Sequence, residues 1–341
     1  MNPREGLGFK HLSYQEQQAY KVLLKAFSLQ AASFDCTKIG KNVDVIKVMH
    51  TVLGDNPSII YFDKALIQIQ ESSFGKKVIL TGVHLKPQAM QMNEALDVKA
   101  NKIVSSLKAE SSNEYSLLMN LYNSLQRNIK YDNEEFHATL EGISKSPASH
   151  TAYGAIVNRV AVCDGFSLAF VLLAQKLGFE CMLAFGQSAY SSMSVVEHAW
   201  NIIKIKDKFY HMDITWDTLK YNGFGEYSYD YFALRDEEIS NDHKWVKETT
   251  PACKYNDLSY YLKNGLYANN VDQLSEIIKA CTKNGEKVFR IQLAHNVTLP
   301  KNAGEYLAQK VMNEGVKLTG HIQASYGWNE NVRCFFAKIT N

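Results

Sequence analysis

The chain has 341 residues, with 37 basic and 35 acidic side chains and a formal charge of +2. This balance argues against a nucleic-acid-binding protein that relies on bulk charge. Hydrophobic residues make up 46% of the chain, with only 19 glycines and 6 prolines, which excludes a collagenous or low-complexity protein. At roughly 100–200 residues per domain, the length predicts two or three domains.

The N-terminal segment, residues 1–110, has the pattern of a helix-rich unit with one β-hairpin. Ser13 and Glu16 form a capping box ahead of an apolar stripe that includes Tyr20 and Phe27, which predicts a helix. Asp55-Asn56-Pro57 is expected to end the next helix. Two runs of β-forming residues follow, at 59–69 and 77–85, and we predict a hairpin whose turn lies between Ser72 and Gly75.

The central segment, residues 111–262, begins with a second predicted capping box, formed by Ser111 and Glu114. The helix that follows carries one apolar stripe, which we interpret as packing surface: Leu118, Leu121, Tyr122, Leu125 and Ile129.

A cysteine stands at the start of the next predicted helix. From Phe166 to Leu177 apolar residues recur at helical spacing, and Gly178 stands where a helix commonly ends. Cys163 therefore lies at or just before the first turn, where free backbone N–H groups and the helix dipole favour a thiolate. Asp164 opposes this effect slightly. A cysteine at a helix start is, taken alone, more often a small buried residue.

Two strands follow, at 197–205 and 209–216, and their connection is too short for anything but a hairpin. If Lys206 and Asp207 form a two-residue loop, Ile205 pairs with Lys208. Asp213 then lies opposite Trp200, and His198 lies opposite Thr215. Neighbours on one face of a sheet lie ~7–8 Å apart along the diagonal, within reach of an imidazole and a carboxylate. A slip of one residue would move Asp213 to the other face.

The C-terminal segment, residues 263–341, reads as helix (271–280), strand (287–294), helix (302–313) and a hairpin that turns at 327–331. This pattern predicts either a small α+β unit or an extension of the central sheet.

A thiol, an imidazole and a carboxylate together can perform nucleophilic catalysis. The imidazole takes the proton of the thiol, and the carboxylate fixes the ring and supports its charge. Taken singly, His198 is more often a sheet histidine and Asp213 a turn or surface acid. Their joint occurrence with Cys163, in this order and spacing, favours a catalytic triad.

Three blocks of the sequence resemble the signature blocks of the transglutaminase-like superfamily, most closely its bacterial cysteine-peptidase-like branch. They are residues 162–167 around Cys163, His198-Ala199-Trp200-Asn201, and residues 210–217 around Asp213. The resemblance extends to 231–238 and 242–245. It covers residues 113–262 well, the first hundred residues weakly and the C-terminal segment hardly at all.

The resemblance implies an α+β fold with a papain-like core, in which a helix bearing Cys163 packs on an antiparallel sheet bearing His198 and Asp213. Cys163 would be the nucleophile, His198 the general base and acid, and Asp213 its orienting partner. One departure is that Val160-Ala161-Val162 replaces the glycine-containing turn that often precedes the cysteine.

Three aromatic residues are further candidates for the site. Tyr153 resembles the tyrosine that these proteins place beside the nucleophile, and it could stabilise the oxyanion together with the backbone N–H of Cys163. Trp200 and Trp216 are candidates for the walls of the site, although such tryptophans are more often simply buried.

No cofactor or metal is expected. A mixed ligand set drawn from Cys163, His198, His211 and Asp213 matches no standard zinc spacing, and no Asp-rich loop indicates calcium. The six cysteines contain no Cys-x-x-Cys pair, so neither a disulfide framework nor a zinc finger is predicted. No apolar run approaches the ~20 residues of a membrane span. The first twelve residues do not resemble a secretory leader, although related bacterial proteins are often exported.

The function that these residues favour is a cysteine acyl-transfer enzyme acting on protein or peptide amides through a thioester. Peptide-bond or side-chain amide hydrolysis is favoured over cross-linking because the resembling branch is peptidase-like. The alternative is a catalytically inactive binding or adhesion module that retains the fold.

Overall fold

The structure is a computed structural model, and it describes residues 4–36, 39–40, 42–72, 75–191, 194–220, 225–319 and 323–340. The chain divides into two compact units, Met1–Thr215 with Lys244–Ala252, and Trp216–His243 with Cys253–Asn341. Helices and antiparallel strands occur in both, which confirms the predicted α+β class. The boundaries predicted after residues 110 and 262 remain predictions. Within the described ranges, every helix is too short or too polar to cross a membrane.

The helices of the first unit are α1 (Leu7–Lys10), α2 (Tyr14–Ser28), α3 (Val45–Asp55), α4 (Lys86–Ala109), α5 (Glu114–Asn128), α6 (Asn133–Leu140), α7 (Cys163–Leu177) and α8 (Ile214–Lys220), whose last turns enter the second unit. Its strands are β1 (Ser33–Asp35), β2 (Asp63–Ser72), β3 (Gly75–Thr81), β4 (Lys130–Tyr131), β5 (Val160–Ala161), β6 (Glu180–Ser191), β7 (Ser194–Ile205) and β8 (Lys208–Met212).

The second unit contains β9 (Phe232–Leu234), α9 (Asp236–Ile239), α10 (Tyr260–Lys263), β11 (Tyr267–Ala268), α11 (Val271–Lys283), β12 (Val288–Leu293), α12 (Ala303–Thr319), β13 (Gln323–Asn329) and β14 (Cys334–Thr340). Strand β10 (His243–Trp245) is shared by the two units. Its first residue, His243, ends the segment Trp216–His243 of the second unit, and its other two residues belong to the first unit.

The predicted start of α2 is confirmed. The side chain of Ser13 caps the backbone N–H of Glu16, and the side chain of Glu16 accepts from the backbone N–H of Ser13 at 2.8 Å. Tyr20 and Phe27 are buried, as the apolar stripe predicts. Helix α3 ends at Asp55, where the sequence predicted a break.

The hairpin of β2 and β3 is present, with bounds that differ from the prediction. Strand β2 begins at Asp63 instead of 59, and β3 ends at Thr81 instead of 85 because α4 begins at Lys86 with a proline in its first turn. Ser72 pairs with Gly75, and the two residues between them, where the turn was predicted, lie outside the described residues.

The predicted capping residue of α5 is wrong. Asn113, not Ser111, caps this helix, and its side-chain oxygen accepts from the backbone N–H of Ser116 at 2.9 Å. Ser111 instead donates to the carbonyl of Leu107 in the last turn of α4, so its hydroxyl belongs to the preceding helix. The predicted apolar stripe of α5 is buried.

Helix α7 begins at Cys163 and ends at Leu177, and Gly178 follows with a left-handed φ of 97°, as predicted. It packs on β6 and β7. Two hydrogen bonds join α7 to β7, and each element donates one of them. The hydroxyl of Ser167 donates to the carbonyl of Ala199 at 3.0 Å, and the side-chain amide of Asn201 donates to the carbonyl of Ser167 at 3.1 Å.

Strands β6, β7 and β8 form consecutive antiparallel pairs. Ile205 pairs with Lys208, and Asn201 pairs with Met212, which confirms the predicted hairpin and its register. The predicted end of the second strand is wrong, because β8 stops at Met212 and α8 begins at Ile214. The chain leaves the sheet at Asp213, whose carbonyl accepts from the hydroxyl of Tyr122 at 3.0 Å. Thr215 is therefore in a helix and does not lie opposite His198.

The second unit has a sheet of its own, in the order β11, β12, β14, β13. This arrangement favours the first of the two predicted alternatives, a small α+β unit. The predicted helices, strand and hairpin are all present, although α11 and α12 extend beyond their predicted ends. The hairpin turns at 330–333 and not at the predicted 327–331, because β13 continues to Asn329, which pairs with Cys334. Their apolar faces share one core with the sheet, including Leu274, Phe289, Leu307 and Phe335.

Replacing Gly165 with alanine tests how tightly α7 is seated. Alanine normally stabilises a helix interior by about 0.5–1 kcal/mol relative to glycine. Here a Cβ would come within 2.2 Å of the Ser149 carbonyl oxygen. We therefore expect Gly165→Ala to destabilise by about 1–3 kcal/mol, seen as a lower melting temperature by calorimetry. Gly54→Ala in α3, where a Cβ would make only an ordinary contact of 3.4 Å with the side chain of Leu183, is the matched control. A Gly165→Ala chain at least as stable as the parent would contradict this packing.

Candidate active site

Cys163 is the first residue of α7, and its side chain is half-buried. As the first residue of a helix it contributes a backbone N–H that has no acceptor inside the helix. The positive end of the helix dipole favours negative charge at this position. Cys163 therefore combines a half-buried thiol residue with a backbone donor for a developing oxyanion.

His198 lies on β7 and is buried, and its side chain contacts the other two predicted members of the triad. Its Nε2 lies 2.6 Å from Oδ2 of Asp213, the residue that follows β8. The Cys163 side chain interacts with the same ring and helps to raise its pKa. Because Asp213 engages Nε2, we expect the sulfur to interact with the other ring nitrogen, Nδ1.

The electrostatics of this trio favour a charged ring. Burial lowers the pKa of His198, but the Asp213 carboxylate and the Cys163 sulfur outweigh this effect and raise the pKa to about 9. Asp213 itself is fully buried, so its negative charge depends on compensation by the ring. At neutral pH the geometry therefore supports an imidazolium between a carboxylate and a sulfur, the arrangement that nucleophilic catalysis by cysteine needs.

Trp200 lies behind the imidazole. It is fully buried, its ring stacks on His198 with centroids 5.9 Å apart, and Trp245 packs edge-on against it. Its indole N–H donates to Nδ1 of His211 at 2.9 Å. These contacts fix the plane of Trp200 and thereby limit the positions open to the His198 ring.

Trp216 and Tyr153 have different surroundings. Trp216 belongs to the second unit and packs against Tyr231 and His243, with ring centroids 5.2 and 4.9 Å away. Tyr153 is half-buried and lines a cavity of about 650 Å³ together with residues of β2, α4 and the segment 147–151. The roles of Trp216 and Tyr153 at the site remain predictions.

A second charged cluster lies beside Cys163, and sequence analysis did not find it. The Nδ1 of His150 lies 2.9 Å from Oδ2 of Asp164, and its Nε2 lies 3.1 Å from Oε1 of Glu135. Glu135 is fully buried. The only sequence signal was Asp164, next to Cys163. Nothing in the spacing of His150 or Glu135 indicated that they would meet it.

The second unit holds a buried polar network around two of the other resembling segments. The hydroxyl of Tyr231 donates to Oδ2 of Asp242 at 2.5 Å, and Nδ1 of His243 lies 2.6 Å from the other oxygen of that carboxylate. The backbone N–H of Tyr231 donates to Asp217. These residues support one another inside the unit.

The comparisons with known proteins agree with this arrangement. Residues 101–214 match the sequence model of the transglutaminase-like superfamily, and Cys163, His198 and Asp213 all fall within this segment. This segment is therefore similar to the core domain of that superfamily, which confirms the resemblance seen in the sequence.

Two solved structures are similar to part of the chain. One is a crystal structure of a TGase, at 15% identity and a TM-score of 0.32, covering 44% of this chain and 43% of the other. The second is described as a candidate cysteine protease from Cytophaga hutchinsonii, at 15% identity and a TM-score of 0.27, covering 44% of this chain and 61% of the other. The chain thus spans less than two thirds of either. No curated protein matches it.

The charge of His198 can be tested by replacing its acidic partner. Asp213→Asn removes the negative charge and leaves the ring buried, so we expect the pKa of His198 to fall from about 9 to below its ordinary value of 6.5. The measurement is an NMR titration of the full chain with isotope-labelled histidine. His150, whose pKa is also raised to about 9 by carboxylates other than Asp213, is the internal control. A His198 titration that does not respond to Asp213→Asn would contradict the pairing.

Proposed function

We propose that the first unit is a cysteine acyl-transfer enzyme that acts on protein or peptide amides through a thioester. Hydrolysis, either of peptide bonds or of side-chain amides, is its favoured outcome over cross-linking. The observation that carries this proposal is the contact of a helix-starting cysteine with a buried histidine whose other nitrogen lies 2.6 Å from a buried aspartate.

The first half of the reaction forms the thioester. The Cys163 thiolate attacks the carbonyl carbon, and the oxygen takes up the negative charge next to the backbone N–H of Cys163. When the tetrahedral intermediate collapses, the C–N bond breaks and His198 gives its proton to the leaving amine or ammonia. Asp213 keeps the ring oriented while its charge changes.

The second half releases the acyl group. His198, now neutral, removes a proton from water, and the hydroxide attacks the thioester to give a carboxylic acid and the free thiol. An amine in place of water would give a new amide instead. The half-buried position of Cys163 supports hydrolysis, because water can reach a thioester that is not sealed from solvent.

Alkylation of Cys163 by iodoacetamide tests the proposed activation of the sulfur. If His198 stabilises the thiolate, Cys163 should be labelled rapidly at pH 6, well below the ordinary thiol pKa of ~8.5. In His198→Ala this reactivity at low pH should fall by at least tenfold. The rates are measured by peptide mapping of the full chain.

Cys281 provides an internal control for this experiment. It is also half-buried, but burial and the nearby Glu286 raise the pKa of its thiol. Its labelling should require alkaline pH and should not respond to His198→Ala. If Cys163 behaved in the same way as Cys281, the activated-nucleophile proposal would fail, and the inactive binding module would be the better interpretation.

A substrate assay separates the possible reactions. Casein is offered together with a fluorescent primary amine, and ammonia, new N-termini and incorporated amine are followed in one sample. We expect ammonia or new N-termini to form in excess over incorporated amine. Cys163→Ala should lose the activity by a factor on the order of 10³ or more.

The pattern of products decides the class. New N-termini indicate a peptidase, and ammonia without new N-termini indicates a deamidase. Amine incorporation that exceeds both and is lost in Cys163→Ala would contradict the preference for hydrolysis and establish cross-linking.

A further inference from the structure

His150 is held between two carboxylates beside the first turn of α7. Its Nδ1 lies 3.0 and 2.9 Å from the two oxygens of Asp164, and its Nε2 lies 3.1 Å from Glu135. Only 12% of the side chain of His150 is exposed, against 26% for Asp164 and none for Glu135. A ring in this position donates from both nitrogens only when it is protonated.

The charge of the ring follows from these neighbours. Burial lowers the pKa of His150, but Asp164 and then Glu135 outweigh it and raise the pKa to about 9. Glu135 also accepts hydrogen bonds from the Ser144 hydroxyl and from the backbone N–H groups of Lys145 and Ser146. These donors stabilise the negative charge of Glu135, so the positive charge of His150 can compensate the negative charge of Asp164.

The residues on both sides of Cys163 contact the segment that carries His150. The backbone N–H of Val162 donates to the carbonyl of Ser149 at 3.1 Å. Gly165 approaches the same carbonyl so closely that a Cβ would lie 2.2 Å from its oxygen. The Ser149 hydroxyl is in turn bonded to Asp132 at 2.7 Å. Asp164, tied to His150, stands between Cys163 and Gly165.

One further cation faces Asp164. Lys64, on β2, lowers the pKa of Asp164, and β2 packs against the segment Pro147–His150. The Nζ of Lys64 is buried and has no hydrogen-bond partner among the described residues. His50 on α3 also interacts with Asp164, although burial lowers the pKa of its ring. The charged and titratable groups described around the first turn of α7 are therefore Asp164, His150, Glu135, Asp132, Lys64 and His50, and His150 is the cation that contacts Asp164 directly.

We propose that His150 is a positioning residue for the Cys163 nucleophile. It neutralises Asp164, whose negative charge would otherwise oppose the neighbouring thiolate, and it holds the first turn of α7 against the segment Pro147–His150. This inference deepens the proposed function and rests on it, since neutralising Asp164 matters only if the sulfur reacts as a thiolate.

A set of three variants tests the electrostatic role: His150→Gln, Asp164→Asn and the double variant. The readout is the pH at which iodoacetamide labelling of Cys163 in the full chain is half-maximal. In the parent chain, the pair of His150 and Asp164 is neutral. His150→Gln leaves a negative charge and should move this pH up by about one unit, while Asp164→Asn leaves a positive charge and should move it down. The double variant is neutral again and should return close to the parent.

A purely structural role gives a different pattern. Both single variants would then shift the pH of half-maximal labelling in the same direction or not at all. The double variant would show the largest shift of the three. That outcome would overturn the proposal. If His150→Gln does not fold, as judged by its circular dichroism, Asp164→Asn decides alone, because an upward or absent shift in this variant contradicts the proposal.

Labelling and turnover separate this inference from the proposed function. The labelling experiment needs no substrate, so the expected pattern together with no activity on casein would support the role of His150 and reject the proposed reaction. Activity on casein together with an unchanged labelling profile in His150→Gln would support the proposed reaction and reject the role of His150.

Discussion

The contact between His198 and Asp213 is the constraint on which the candidate site depends. A fully buried carboxylate is costly unless a partner compensates its charge, and the imidazole 2.6 Å away supplies that charge. The aspartate is held independently through its carbonyl, which accepts from Tyr122 on α5. Asp213 therefore holds the ring through Nε2, and we expect Nδ1 to be the nitrogen that interacts with Cys163.

The features that could be predicted from the sequence are those set by local chemistry. A two-residue loop fixes the register of a hairpin, so the pairing of β7 with β8 followed from Lys206 and Asp207 alone. Helix periodicity and Gly178 likewise gave both ends of α7. These two elements carry Cys163 and His198 and end next to Asp213, which is why the three side chains could be named before any geometry was known.

The features that could not be predicted depend on contacts between distant parts of the chain. Strand β8 ends at Met212, and the next residue, Asp213, bonds through its carbonyl to Tyr122 on α5 and through its carboxylate to His198 on β7. Helix α5 begins at Asn113 because Ser111 bonds to the helix before it. Glu135, His150 and Asp164 meet through packing of α6, a short turn and α7, and no sequence spacing encodes such a meeting.

The two-way hydrogen bonding between Ser167 and the strand residues Ala199 and Asn201 has a mechanical meaning. It ties the helix that carries Cys163, four residues after that side chain, to the strand that carries His198, one and three residues after that side chain. Thermal motion of the surrounding loops should then displace α7 and β7 together and leave the distance between the Cys163 sulfur and the His198 ring unchanged. In the proposed reaction, an amide would then meet a sulfur and a ring whose spacing is already set, and it would have to adjust its own torsion angles to reach the sulfur.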